Sequence, residues 1–398
     1  MSSGRVSHLD VVAGVLRLRS WALAVLTGND AGEPPRAHAR SQRYFWESER
    51  CATPLWEKLS GLGSVDDLPH ELRQNLLRRV AQEGERIKSV RDQLDTVGEI
   101  ARSNTWKVAV LKGAVPLAIS DASLDLVDLD LLVEPVTASD LASALDRIGY
   151  RVTGHSDPRH LRARSRDGGV SIEIHTTLDR SGVPLPRRVW DGLVPIPRLG
   201  LFRLGAAEHL WHLLQHVVLD HPERRGLLRE LLLLQHAVSD CDEAQLGEVR
   251  EQIHETDERE CFLEVLAGVE AIHHDNPTQP LVDVAARFYA VRSLLDGVPL
   301  PHSLEGYVYK WAFGWLFGRE ARRRLWEEVF WRGLEPSMHH HIKLAERTAP
   351  LLGRAYRVSL RTLRAIAAIT IAIPAALAAS LVASGAMKDY RGTRSDEH

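Results

Sequence analysis

The sequence predicts an α+β protein in which helical regions flank a mixed β-sheet core. Residues 107–111 form a short apolar run, and residues 128–133 alternate acidic and apolar side chains before becoming fully apolar. Apolar residues at helical spacing, such as Leu72, Leu76 and Val80, precede these two segments. The sequence contains no G-x-G-x-x-G run of the kind that marks a dinucleotide-binding βαβ repeat. Together these patterns favour a mixed sheet with helices over a Rossmann-type repeat.

The composition is that of an ordinary globular protein. The 398 residues are 44% hydrophobic and 26% charged, which is enough to bury a substantial core, and the length allows two or three domains. The formal net charge of −3 argues against a strongly basic nucleic-acid-binding protein. The cysteines Cys51, Cys241 and Cys261 are widely spaced and odd in number. We therefore expect a reducing compartment and no zinc site.

The order of the patterns divides the chain into four regions. Residues 1–104 read as an N-terminal helical region, and residues 105–200 contain the strand patterns of the core. Residues 201–350 return to helical spacing and form a predicted helical domain. Residues 351–398 are a basic and apolar C-terminal tail.

The tail contains a candidate membrane helix at residues 365–387. These 23 residues carry no charged side chain, and a bilayer-spanning helix needs about 20 apolar residues. Ten of them are alanine, which is only weakly apolar, and Pro374 lies in the middle of the run. Two interpretations stay open: a transmembrane or membrane-embedded helix, and an alanine-rich helix packed on another protein surface. Arginines and lysines flank both ends, and their slight bias favours a cytoplasmic body.

Three carboxylates are the candidate chemical centre. Successive side chains of a strand point to opposite faces, so Asp128 and Asp130 share one face. Residues 170–175 alternate in the same way and place Glu173 on a polar face. If the two strands are neighbours, the three acids meet, and such oxygen ligands suit Mg²⁺. Carboxylates around one or two divalent ions are what phosphoryl and nucleotidyl transfer require.

These segments resemble a known family. Residues 111–113 (LKG), 128–133 (DLDLLV), 149–150 (GY) and 172–175 (IEIH) are similar to the motifs of the bacterial nucleotidyltransferase family proteins. That group is the uncharacterised nucleotidyltransferase branch of the DNA polymerase β-like superfamily, and the resemblance runs from about residue 45 to 350. It implies a polymerase β-like core with helical flanks, to which this chain adds a C-terminal apolar helix.

The resemblance also implies a reaction. Asp128, Asp130 and Glu173 are the expected catalytic residues and the expected ligands of Mg²⁺ or Mn²⁺. The substrate would be a nucleoside triphosphate (NTP), whose α-phosphorus is attacked in line by an acceptor with release of pyrophosphate. Glu173 would also help to deprotonate the acceptor hydroxyl.

The turn before the carboxylates is the expected triphosphate contact. Lys112, Gly113 and Ala114 would offer backbone N–H groups and one ammonium if the turn opens a helix. Two positions depart from the family pattern. Ala114 replaces the usual Gly or Ser after the loop glycine, and residues 123–127 (SLDLV) lack the Arg that usually precedes the Asp pair.

Two function classes follow. The first is a metal-dependent transferase acting on a non-polymeric acceptor, since an RNA substrate normally requires a broad basic groove. The second is a catalytically degraded member of the family that binds a nucleotide or a partner protein at the membrane. We expect the protein in the cytoplasm, with residues 365–387 as the candidate anchor on the inner face of the cell membrane. The sequence leaves the acceptor and the base preference open.

Overall fold

The fold is described from a computed structural model of the chain. The described residues are 6–120, 124–153, 160–165, 168–178, 187–272, 279–296, 298–299, 302–316 and 366–395. Their strands are β1 Val108–Val110, β2 Asp128–Val133, β3 Tyr150–Thr153, β4 His160–Ser165, β5 Ser171–His175, β6 Val194–Ile196 and β7 Leu201–Arg203. Their helices are α1 His8–Thr27, α2 Ala39–Glu49, α3 Ala52–Leu62, α4 His70–Asn104, α5 Ala114–Ile119, α6 Pro135–Arg147, α7 Arg187–Asp191, α8 Ala206–Gln215, α9 Leu228–Ser239, α10 Glu243–His254, α11 Arg259–Ala271, α12 Gln279–Leu295, α13 His302–Leu316 and α14 Ile373–Ser395.

The strands form one mixed sheet in the order β3-β4-β5-β2-β1-β7-β6. Strand β2 runs antiparallel to β1 and parallel to β5, and β1 runs parallel to β7. This confirms the predicted α+β class with a mixed sheet. Strands β6 and β7 were not anticipated from the sequence. Each has only three residues, and Pro195 interrupts the apolar pattern of β6.

The two faces of the sheet are covered differently. Leu129, Leu131 and Ile172 point into a large core that also includes buried residues of α4, α5 and α6. On the other face, Leu132 joins a smaller cluster with Leu204. Because side chains alternate along β2, the residues on the side of Leu132 include the two aspartates. The alternation predicted for this strand therefore leaves the carboxylates off the main core.

The chain divides into two compact units, each built from separate segments. One comprises residues 1–49, 217–230 and 264–398, and the other comprises 50–216 and 231–263. The whole sheet lies in the second unit. The four-region division made from the sequence runs along the chain and stays a prediction. Its boundary near residue 350 lies outside the described residues.

In the first unit, helix α14 is the apolar C-terminal helix expected from the sequence. It packs against α1, α12 and α13. The side chains on its packed face are mostly alanine, and the buried ones include Ala376, Ala379, Ala383 and Ala386. Small side chains at a spacing of three or four residues let helix backbones approach closely. Among the described helices, the stretch Thr370–Arg391 is long and apolar enough to cross a membrane, and a third of it is buried.

Candidate active site

The register of three adjacent strands brings the predicted acidic residues together. Asp130 of β2 lies directly beside Glu173 of β5 in the parallel pair. Glu173 in turn lies beside Arg162 of β4, and the two side chains form an ion pair. Asp130 is 5% exposed and Glu173 is 8% exposed. Asp128 is half-buried and two residues before Asp130, so it projects from the same face of the sheet.

Two cationic or polar groups converge on one oxygen of Asp130. The Nζ atom of Lys112 lies 2.8 Å from Asp130 Oδ1, and the Nε2 atom of His175 lies 2.8 Å from the same oxygen. His175 Nε2 is also 3.9 Å from Glu173 Oε2. Lys112 comes from the turn after β1, whereas His175 is the last residue of β5. The site therefore brings together the turn after β1, the middle of β2 and the last residues of β5.

The electrostatics of Asp130 and Lys112 reflect this contact. Burial raises the pKa of Asp130, but the Lys112 ammonium and the hydrogen bond from His175 outweigh it, and the pKa lies well below its usual range. Burial lowers the pKa of Lys112, but the charge of Asp130, with smaller contributions from Asp128 and Glu173, raises it above its usual value. A half-buried ammonium thus lies among the three predicted carboxylates.

The turn that carries Lys112 is tightly constrained. Lys112 has a φ of 51°, in the left-handed region that non-glycine residues seldom adopt. A Cβ added at Gly113 would lie 2.3 Å from a terminal methyl of Leu126, so any larger residue here would require the Leu126 side chain to move. Ala114 begins helix α5, and its side chain is buried in the main core. Its backbone N–H donates to Leu111 O at 3.3 Å. The turn opens a helix, and its contact with a triphosphate stays a prediction.

The segment before the aspartates is held by an ion pair that the sequence did not suggest. Asp125 is fully buried and accepts two hydrogen bonds from the Arg86 guanidinium, at 2.6 and 2.8 Å. Arg86 comes from helix α4, 39 residues earlier. This bidentate pair fixes the chain three residues before Asp128. The region that lacks the family Arg is therefore tethered by an arginine from another element.

Helix α8 contributes buried histidines to the same neighbourhood. His209 and His212 are 2% and 6% exposed, and the charges acting on His212 include those of Lys112 and His175. Burial lowers the pKa of His209 to about 4 and lowers the pKa of His212 well below its usual value. Both rings are therefore neutral near pH 7.

Three residues of β2 and β5 fit a divalent cation. Asp130, Glu173 and His175 each offer one ligand atom, and the three atoms lie within 4.8 Å of one another. The two carboxylate oxygens are hard ligands of the kind that Mg²⁺ and Mn²⁺ take. The ammonium of Lys112 beside Asp130 shows that this position attracts positive charge. His175 and Arg162 were not chosen as site residues from the sequence. The alternation of β5 already placed His175 beside Glu173, whereas the contact of Arg162 depends on strand pairing.

The mixed sheet, with paired carboxylates on two adjacent parallel strands and a lysine turn beside them, defines a nucleotidyltransferase-type core. A family profile described as "Uncharacterised nucleotidyltransferase" matches residues 45–271, more than half of the chain. The chain belongs to this nucleotidyltransferase family. A search of curated proteins finds no significant relative.

The similar solved structures include CCA-adding enzymes. One, a complex with ATP, is 16% identical, with 75% of this chain and 81% of that chain covered and a TM-score of 0.27. Another, the Thermotoga maritima enzyme complexed with tRNA, is 17% identical, with 75% and 81% covered and a TM-score of 0.25. Similarity at this level carries no argument about the substrate. The fold assignment rests on the family match and the sheet.

Proposed function

We propose that this protein transfers a nucleoside monophosphate group from an NTP to a non-polymeric acceptor. The observation that carries the proposal is the position of Asp130 beside Glu173, with Asp128 on the same face and Lys112 among them. We assign the transfer reaction to the core at residues 105–200, between helical regions at 1–104 and 201–350. The family membership supports nucleotidyl transfer in general terms.

Asp128, Asp130 and Glu173 would hold the divalent ion. When bound, Mg²⁺ or Mn²⁺ neutralises phosphate charge and favours ionisation of the attacking oxygen. Glu173 takes the proton of the acceptor hydroxyl. The acceptor oxygen forms a bond to the α-phosphorus, and the bond from that phosphorus to the pyrophosphate oxygen breaks. Pyrophosphate leaves with the electron pair, and positioning supplies most of the rate enhancement.

Lys112 has a second role in this proposal. Its ammonium contacts Asp130 at 2.8 Å, and the turn at Gly113 and Ala114 follows directly. When the carboxylates are neutralised by a metal ion, the Lys112 ammonium is free to move from Asp130 to a phosphate oxygen. The turn of Lys112, Gly113 and Ala114 is thus the proposed triphosphate contact.

The net charge supports a non-polymeric acceptor and a nucleotide rather than nucleic acid as the main partner. A protein with a formal charge of −3 does not attract a polyanion over its whole surface. Cys51, Cys241 and Cys261 are not disulfide-bonded, which supports a location in the reducing cytoplasm. Pyrophosphate release measured with small hydroxyl compounds and with a tRNA transcript would separate the two acceptor classes.

The test of the carboxylate assignment is nucleotide titration of the full chain. ATP, GTP, CTP and UTP are titrated calorimetrically with and without Mg²⁺. The comparison includes the double variant Asp128→Asn/Asp130→Asn and the control Asp140→Asn, an exposed residue of α6. We expect Mg²⁺-dependent binding of at least one nucleotide by the unmodified chain and by the control.

The double variant should lose this binding almost completely. Loss of an outer-shell partner of a metal site already costs about 10–100-fold in metal affinity, so removal of two direct ligands should cost at least about 100-fold. Full binding by the double variant would show that the carboxylates are wrongly assigned. Absence of binding by the unmodified chain with every nucleotide would exclude the transferase proposal.

The second candidate function is a non-catalytic module at the membrane. It is favoured by helix α14, which leaves Leu377 and Leu381 64% and 77% exposed. Because the opposite alanine face is packed against other helices, this helix would lie on a lipid surface with its leucine face rather than cross the bilayer. This candidate predicts Mg²⁺-dependent nucleotide binding without pyrophosphate release. It also predicts co-flotation with anionic vesicles that is lost in Leu377→Gln/Leu381→Gln.

A further inference from the structure

His175 occupies a position in the carboxylate site that charge neutralisation does not require. Asp130 already has the ammonium of Lys112 at 2.8 Å, and Glu173 already pairs with Arg162. His175 nevertheless directs Nε2 to the same Asp130 oxygen, at 2.8 Å, from a ring that is 21% exposed. An imidazole that serves only to balance charge would duplicate Lys112. Its position between the two carboxylates suggests another role.

The distances around His175 match those between ligands of one ion. In an octahedral site with bonds of about 2.1 Å, neighbouring ligand atoms are roughly 3.0 Å apart and opposite ones roughly 4.2 Å apart. His175 Nε2 lies 2.8 Å from the Asp130 oxygen and 3.9 Å from the Glu173 oxygen. Small side-chain movements would therefore place all three atoms around a single cation. Strand β5 supplies two of these ligands from one face, because Glu173 and His175 are two residues apart.

The ligand chemistry then sets the choice of metal. Mg²⁺ prefers oxygen ligands and retains its water, whereas transition metals accept imidazole nitrogen readily. A set of two carboxylates and one imidazole differs from the all-carboxylate set of Asp128, Asp130 and Glu173. We infer that His175 is a direct metal ligand and makes this site select Mn²⁺ over Mg²⁺. The inference rests on the proposed function, since it specifies the ion at the same carboxylates.

The experiment measures metal binding in the full chain without relying on turnover. Mn²⁺ affinity is measured from the free-ion electron paramagnetic resonance signal, and Mg²⁺ affinity is measured by competition. Pulsed resonance of the bound Mn²⁺ reports directly on nitrogen coordination through the ¹⁴N modulation of an imidazole ligand. The variants are His175→Gln and His175→Asp. The matched control is His236→Gln, an exposed histidine of α9.

We expect substitutions of His175 to affect Mn²⁺ affinity more than Mg²⁺ affinity. His175→Gln should lower Mn²⁺ affinity by about tenfold or more, should abolish the ¹⁴N modulation, and should change Mg²⁺ affinity much less. His175→Asp restores an oxygen ligand, so the variant should bind both ions but with a smaller preference for Mn²⁺. The control should match the unmodified chain in affinity and modulation. Thermal melting of each variant shows whether the sheet is intact, and His175→Asp provides the decisive comparison if His175→Gln is unfolded.

Three results would overturn the inference. The first is an unmodified chain whose bound Mn²⁺ shows no ¹⁴N modulation, and the second is an unmodified chain that binds Mg²⁺ as tightly as Mn²⁺. The third is a folded His175 variant with unchanged Mn²⁺ affinity. Each result, combined with Mg²⁺-dependent nucleotide binding, leaves the transferase proposal in place. The first and the third remove His175 from the ligand set, and the second removes the preference for Mn²⁺. Failure of the transferase proposal is seen separately, as absence of nucleotide binding with both metals.

Discussion

At the scale of single residues, the contact between Lys112 and Asp130 is the central feature of the site. The ammonium lies 2.8 Å from the carboxylate oxygen and feels the charges of Asp128 and Glu173 as well. Lys112 reaches this position from a left-handed backbone conformation, which costs of the order of 1–3 kcal/mol for a non-glycine residue. The surrounding turn maintains this conformation, and the strain lies next to the proposed chemistry.

Replacing Lys112 should strengthen the binding of a metal ion and weaken the binding of a nucleotide. Lys112→Met removes the ammonium that competes with a divalent ion for Asp130, so Mn²⁺ should bind about tenfold more tightly in the absence of nucleotide. One charge-assisted contact is worth about 1.5–3 kcal/mol, so loss of the phosphate contact should weaken NTP binding by about tenfold or more. Calorimetric titrations of metal alone and of metal with nucleotide measure both effects. Lys88→Met, at an exposed lysine of α4, is the control.

Burial of His209 makes the stability of the folded protein depend on pH. The pKa of His209 is lowered to about 4 by burial, whereas the unfolded value is about 6.5. Between these values the unfolded chain binds a proton that the folded chain does not bind. The contribution of neutral His209 to the free energy of unfolding is therefore complete above pH 6.5 and is lost as the pH falls towards 4. The charged and titratable groups around His209 and His212 include Lys112, Arg203 and His216, together with His175.

Denaturant unfolding between pH 7 and pH 5 measures this effect. Each buried histidine should contribute a slope of up to about 1.4 kcal/mol per pH unit in this window. His209→Gln should have a shallower slope than the unmodified chain, and the exposed control His236→Gln should not. Equal slopes for all three proteins would contradict the assignment of His209 as a neutral buried ring.

Residue-scale features differ in how far the sequence reveals them. Alternation along β2 and β5 is a local property, so it is enough to predict that Asp128 and Asp130 share one face and that Glu173 has a polar position. The contacts of Arg162 and Arg86 depend on which strand or helix lies alongside, which no local pattern encodes. His175 belongs to the predicted alternation, but its distance from Asp130 follows only from the parallel pairing of β2 with β5.

At the scale of elements, a glycine is required where the backbone of another element comes too close to leave room for a Cβ. Gly98 lies in the buried face of α4, where an added Cβ would be 2.1 Å from the backbone oxygen of Leu199. Gly84 is in the same helix but exposed, and an added Cβ would meet nothing within 4 Å. The two positions therefore form a matched pair within one helix.

Substitution by alanine should change stability in opposite directions at this pair. Gly98→Ala should destabilise the protein by about 2–3 kcal/mol, because the backbones of α4 and the turn before β7 must separate. Gly84→Ala should stabilise it by about 0.5–1 kcal/mol, because alanine has the better helix propensity. Chemical denaturation of both variants measures the difference. A destabilised Gly84→Ala variant would show that α4 is not helical at that position.

Helices and strands could be predicted from the sequence where the run of apolar residues is long. The apolar C-terminal run forms a helix, but its composition could not distinguish a lipid-facing helix from a packed one. The tertiary structure adds that Ala376, Ala379 and Ala383 are buried on one face, where the helix packs against other helices. Strands β6 and β7 were missed because three residues are too few to establish alternation.

At the scale of the whole molecule, the first compact unit is assembled from three separate stretches of chain. A buried polar network joins them at Glu49, whose carboxylate accepts from the Tyr289 hydroxyl at 2.7 Å and from the Leu228 N–H at 2.5 Å. The Arg19 guanidinium lies 3.6 Å from Glu49 and also donates to the carbonyl oxygen of Gly226. Glu49 and Arg19 are 0% and 2% exposed. The network therefore connects segments that are far apart in the sequence.

Glu49→Ala should destabilise this unit strongly. The substitution leaves the Arg19 charge, the Tyr289 hydroxyl and the Leu228 N–H buried with fewer partners, and breaking a buried ion pair costs about 3–5 kcal/mol. The matched control is Glu47→Ala on the same helix. Glu47 pairs with Arg292 at the surface and is 33% exposed, so its loss should cost no more than about 1 kcal/mol. Denaturant unfolding followed by intrinsic tryptophan fluorescence, to which the buried Trp21 of this unit contributes, measures both variants. Similar unfolding midpoints for the two variants would show that the buried network does not hold the three chain segments together.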